Sequence, residues 1–150
     1  MTAQPVHIFD ASLHAANLWL KELTAKLGPP DPHVAYWALR ATLHALRDRL
    51  PLANAVNLGA QLPLLIRGLY YEAWHVAGTP TKERHREAFI GHVADLVPRE
   101  VELAPEPAVR AVFALLAERI DPGEVTKVIG VLPADLRSLW PGEEVPIDDC

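Results

Sequence analysis

Residues 38–70 return, without a gap, as residues 108–140. Nine of the 33 aligned positions are identical: Ala38/Ala108, Arg40/Arg110, Ala41/Ala111, Leu46/Leu116, Arg49/Arg119, Leu62/Leu132, Pro63/Pro133, Arg67/Arg137 and Leu69/Leu139. Chance would give roughly two or three in a chain so biased in composition. Other pairs keep their character, among them Leu43/Phe113, Asp48/Glu118, Leu50/Ile120, Leu58/Val128, Ile66/Leu136 and Tyr70/Trp140. Upstream, Trp19, Leu20 and Leu23 fall opposite Phe89, Ile90 and Val93. A duplicated unit constrains the fold, because each copy has the same apolar surface to hide and the other copy is the nearest cover. The expectation is an all-α fold of about eight helices. Two similar four-helix units, about residues 10–74 and 82–140, pack around a pseudo-twofold axis in a single helical domain, with an acidic mobile tail at 141–150.

Helical periodicity carries the rest of the fold reading. Leu13, Ala16, Leu20, Leu23 and Leu27 recur at three- and four-residue spacing, with Asp10 as a cap and Gly28-Pro29-Pro30 as a stop. Asp31 followed by Pro32 marks the next start, since proline at the first helical position gives up an N–H that has no partner there. That helix runs to about Arg49 and is apolar on two faces, which predicts a central position. Short helices are expected at 52–60 and from Pro63 to Trp74, then a connector over 75–80 and a helix over 81–97. A loop at 98–107 precedes a helix over 106–119. Asp121-Pro122-Gly123-Glu124 has the form of a capping box, with short helices to Val131 and over 133–140. No segment alternates long enough to predict a strand.

Charge and cysteine content narrow the setting. The net charge of −5 repels phosphate backbones, so nucleic acid is not an expected partner. The one cysteine, Cys150, leaves no internal disulfide to form and points to a reducing compartment. The first residues lack the charged-then-apolar form of a secretory signal, and no uncharged run reaches membrane-spanning length. A cytoplasmic protein is expected, without a membrane partner.

The run Ala38-Leu-Arg-Ala-Thr-Leu-His-Ala-Leu-Arg-Asp-Arg-Leu-Pro51 is followed by Leu58-Gly-Ala-Gln-Leu-Pro-Leu-Leu-Ile-Arg-Gly-Leu-Tyr-Tyr-Glu-Ala-Trp74. Downstream stand Ala108-Val-Arg-Ala-Val-Phe and Leu132-Pro-Ala-Asp-Leu-Arg-Ser-Leu-Trp-Pro141. Together they resemble the bacterial domain of unknown function 2267 family, over most of the chain. The resemblance implies a helical fold and brings no activity, cofactor or catalytic residue with it.

Few residues suggest chemistry. Ser12, Ser138 and Cys150 are the available nucleophiles, and neither serine lies in a glycine-rich elbow. Glu72 and His75 have the spacing of a helical di-iron motif, but the second half ends before an equivalent. His85 and His92, like His7 and His14, share a helical face without a third ligand. No catalytic, cofactor-binding or metal residue is therefore assigned. Arginines present in both halves (Arg40/Arg110, Arg49/Arg119, Arg67/Arg137) read as structural, bonded to helix-end carbonyls or to acids such as Asp48 and Glu118.

Two functional readings survive. The leading one is a non-enzymatic protein-interaction or self-association module. Its candidate patch is Arg67, Tyr70, Tyr71 and Trp74, an aromatic group without a full counterpart in the second half; the bland alternative is that these rings pack the connector into the core. The other is a DNA-associated regulator using a helix-turn-helix-like segment around Val125, Ile129, Gly130, Val131, Leu136 and Leu139. Against it, the would-be reading helix offers one base, Arg137, and the basic run Lys82, Arg84, Arg86 is interleaved with Glu83 and Glu87 as on a solvated helix face.

Overall fold

The computed structural model describes residues 6–28 and 31–143. Among these there are eight helices and no strand: α1 (Asp10–Leu27), α2 (Pro32–Arg49), α3 (Leu52–Gln61), α4 (Leu64–Tyr71), α5 (Arg86–Asp95), α6 (Pro105–Arg119), α7 (Pro122–Gly130) and α8 (Ala134–Arg137). The fold is all-α, as expected. Residues 29–30 of the predicted stop and 144–150 of the predicted tail lie outside the described residues. No helix among the described residues is long and apolar enough to cross a membrane.

Local chemistry sets most of the boundaries. The Asp31 carboxylate accepts from the His33 backbone N–H at 2.9 Å and Pro32 follows as the first helical residue, so α2 begins where the sequence places it. Prolines 51, 63 and 133 each sit in extended backbone just before a helix, where their missing N–H costs nothing. α2 is the centre of the fold and packs on α1, α3, α4, α5 and α6. Its Ala35, Ala38, Ala41 and Ala45 are buried beside Leu39, Leu43 and Leu46, and the small residues let neighbouring helices approach closely. α6 faces it with Val109, Val112, Phe113, Leu115 and Leu116. Fully burying a side chain of this size stabilises the fold by roughly 1.5–3 kcal/mol, so these two helices hold much of the core's contribution.

Four expectations are corrected. The helix expected over 81–97 is confined to α5, because its first residues are bound elsewhere. The Thr81 N–H donates to Asp48 O at 2.8 Å, the Arg49 Nε–H donates to Glu83 O at 2.6 Å, and the chain stays extended up to His85. Lys82 and Arg84 consequently lie within the non-helical stretch before α5 and are exposed; they do not lie on a helix face. α4 ends at Tyr71, three residues before Trp74, and Ala73 turns the chain with a left-handed φ of 58°. At α7 the predicted capping box is not made. Asp121 occupies the cap position without a side-chain bond, and Glu124 is buried. At α1 the cap position belongs to Phe9; Asp10 is the first helical residue and its carboxylate takes His7 Nδ1 at 2.8 Å.

Candidate functional site

The aromatic patch expected at residues 67–74 divides between core and surface. Tyr70 is fully buried and donates to Ala55 O at 2.7 Å, so it anchors α4 on α3 and cannot meet a partner. Burial pushes its phenol well above the ordinary range. Arg67 grips the end of α3: its Nε–H donates to Gly59 O at 3.0 Å and its Nη2 to Leu62 O at 2.9 Å and Ala60 O at 3.2 Å. Gly59 O also takes the Leu62 backbone N–H at 3.1 Å, and the guanidinium adds donors for the carbonyls at this helix end. Tyr71 and Trp74 are half-buried, stacked at 5.6 Å between ring centroids, with the Arg47 guanidinium 5.8 Å from the indole. The four residues do not form one exposed surface.

The DNA-facing features are also occupied. Arg137 donates to Leu132 O at 2.7 Å and to Gly130 O at 3.5 Å, as Arg67 does to Leu62 and Ala60. Both are structural arginines, as the repeat suggested. α8 has four residues, little more than one turn, where a reading helix needs several turns to lie in a groove. Arg86 is held 3.9 Å from the Asp135 carboxylate. The acids named as arginine partners in fact meet other bases: Asp48 takes Arg47 at 2.9 Å and Glu118 takes Lys26 at 2.6 Å, while Arg119 pairs with Glu22. Glu72 lies 3.7 Å from Arg40 and His75 is exposed, so the di-iron spacing does not gather ligands. No group of three or more histidine, cysteine and acidic residues converges among the described residues.

What stands out is a groove of about 670 Å³ between the first half of α1, the start of α2 and α4. Leu13 and Leu20 line it from α1, Tyr36 from α2, and Leu64, Leu65 and Leu69 from α4. Spacing builds the two walls. Leu13, Ala16, Asn17 and Leu20 follow the i, i+3, i+4, i+7 rule and form one stripe on α1. On α4, Ile66 and Tyr70 turn into the core, which leaves Leu64, Leu65 and Gly68 facing out. Leu13, Leu64 and Leu65 are 54%, 51% and 43% exposed, an unusual amount for three leucines that share one hollow. Glu72 is the one charged residue on its wall.

Buried polar groups fix the far side of α4. His44 Nε2–H donates to Leu69 O at 2.7 Å, and Arg47 Nη1 donates to Tyr70 O and Glu72 O, each at 2.8 Å. The carbonyls at the end of α4 are thus satisfied from α2, which holds the groove's α4 wall in place. Burial is the largest influence on His44; with the Arg47 and Arg40 charges it outweighs the Leu69 bond, and the imidazole pKa lies below its ordinary value.

The groove was not singled out from the sequence, where Leu64 and Leu65 look like core residues. A usable signal was present in the repeat: they align with Ala134 and Asp135. Asp135 takes the Arg86 backbone N–H at 2.8 Å in the second half. A hollow of about 530 Å³ elsewhere, beside Asp31, His33, Glu100 and Glu102, has no comparable cluster of exposed leucines among the described residues.

A family model described as "Uncharacterized conserved protein (DUF2267)" matches residues 16–139. No curated protein matches the chain.

Proposed function

We propose, for a chain that belongs to the DUF2267 family, that it works by binding rather than catalysis, as a protein-interaction module whose contact site is the groove between α1, α2 and α4. The observation that carries this reading is the cluster of exposed leucines, Leu13, Leu64 and Leu65, on one apolar hollow. An amphipathic helix laid in such a groove buries its apolar face at i, i+3, i+4 and i+7 positions. The site therefore lies on α1, α2 and α4, and none of Arg67, Tyr70, Tyr71 and Trp74 lines it. The reading places the protein in the cytoplasm, supported by its single cysteine.

The same reading treats the chain as one unit used twice. Support comes from the nine identical aligned pairs and from the shared carbonyl grip of Arg67 and Arg137. It also comes from the packing: α1 lies on α2 and α6, α5 lies on α6 and α2, and α3 meets α7. On this view the second unit closes the face that the first leaves open. At positions 134 and 135 it carries alanine and aspartate, so the fold does not demand leucine there.

The test is recovery of a bound protein from the source cells, comparing the wild-type chain with a Leu64→Asp/Leu65→Asp variant. A partner, either a second copy or another protein, should accompany the wild type and be lost from the variant. Equal recovery by both would refute the groove as the contact site, as would recovery by neither.

A further inference from the structure

We propose that the groove's occupant is a second copy of this chain, with the two α1 helices antiparallel about a twofold axis near residue 16. This rests on the groove reading above and names its partner. The chain carries an insert as well as a receptor. Ile8 and Phe9, just ahead of α1, are 77% and 63% exposed, and Leu13 continues the ridge. At 3.6 residues per turn Phe9, Leu13 and Leu20 fall within about 40° of arc, so ridge and groove wall share one face of one helix. A twofold contact lays the ridge of each copy in the groove of the other, and the same patch is buried on both sides.

Charge selects the direction. Asp10 and Lys21 are both exposed and border the same edge of that apolar stripe, three turns apart. A parallel pairing puts this edge on opposite sides of the contact in the two copies and pairs neither charge with its opposite. The antiparallel pairing sets Asp10 of each copy against Lys21 of the other, giving two ion pairs, although Asp10 also takes His7 within its own chain. Those pairs require an axis midway between residues 10 and 21. The groove's α1 wall, residues 13–20, is centred within about one residue of that point. Both the apolar and the charged features therefore converge on one axis. The second half has Ala134 and Asp135 where the first has Leu64 and Leu65, so the contact is used once per chain and closes as a dimer.

Sedimentation equilibrium of the full chain tests this. The wild type should reach twice the 16.5 kDa chain mass in the micromolar range, and Leu13→Asp should remain a monomer. Lys21→Glu should raise the dissociation constant about tenfold, and the Asp10→Lys/Lys21→Glu swap should return it close to the wild-type value. A wild type that stays monomeric up to about 1 mM overturns the proposal. So does a dimer indifferent to Leu13→Asp and Lys21→Glu, which would place the contact elsewhere. A monomer that still captures a different protein through Leu64 and Leu65 defeats the dimer alone, whereas a monomer with no such capture defeats the groove reading as well.

Discussion

Gly59 shows how much a single residue can decide where α3 meets the end of α4. A Cβ added there would overlap the Tyr71 hydroxyl, which donates to Val56 O at 3.2 Å. The ring cannot step aside freely, because it is stacked on Trp74 and set edge-on to Tyr70 at 5.0 Å. Gly59→Ala should cost about 1–3 kcal/mol and change the near-ultraviolet circular dichroism of the aromatic group. An unchanged spectrum and midpoint would mean that the ring has room that the packing does not suggest. His44 makes a second prediction, with a definite sign. Its folded pKa lies below the unfolded value of about 6.5, so the unfolded chain takes up the proton first as the pH falls. The contribution of neutral His44 is complete above about pH 6.5 and shrinks as the pH drops toward the folded pKa. Urea unfolding followed from about pH 7 down to about pH 5 should show this decline, and His44→Gln should flatten it. Parallel slopes in the two proteins would remove His44 from the account.

At the scale of elements, the legible boundaries are those written in adjacent residues. Asp31-Pro32 starts α2, and Pro63 and Pro133 precede α4 and α8, because cap and proline chemistry act over two or three residues. The start of α5 was not legible. Its N-terminal N–H, from Arg86, is satisfied by Asp135, 49 positions away in sequence, and the segment before it is held by Arg49 and Asp48. Helical spacing over 81–85 is real but loses to those long-range bonds. Asp121-Pro122-Gly123-Glu124 fails in the opposite sense, since a good local pattern is overruled when Glu124 is drawn into the interior. Asp135 should therefore act as a cap supplied from another element. Asp135→Ala should lower stability by about 0.5–2 kcal/mol and speed amide exchange at the first turn of α5. Unaltered exchange at residues 86–89 would show that the helix start does not depend on it.

At the scale of the whole molecule, duplication explains why the core was easier to read than the site. Positions that both halves need stay apolar in both, as at Leu46/Leu116, Leu62/Leu132 and Leu69/Leu139, and the first two of these pairs are buried throughout. The groove lies where the halves differ, and a difference between repeats is a weaker pattern than an identity. Leu64 and Leu65 also look like core residues until α4 is seen to turn Ile66 and Tyr70 inward. If this face exists for a partner, its leucines add little to the stability of the lone chain. The most direct test replaces them with the residues of the second half, as Leu64→Ala/Leu65→Asp, and measures urea unfolding at a concentration low enough to keep the wild type monomeric. The account predicts a free energy of unfolding within about 0.5 kcal/mol of the wild type, the range of surface substitutions. A loss of about 2 kcal/mol or more, as for truncated core leucines, would contradict it by making the groove wall part of the core.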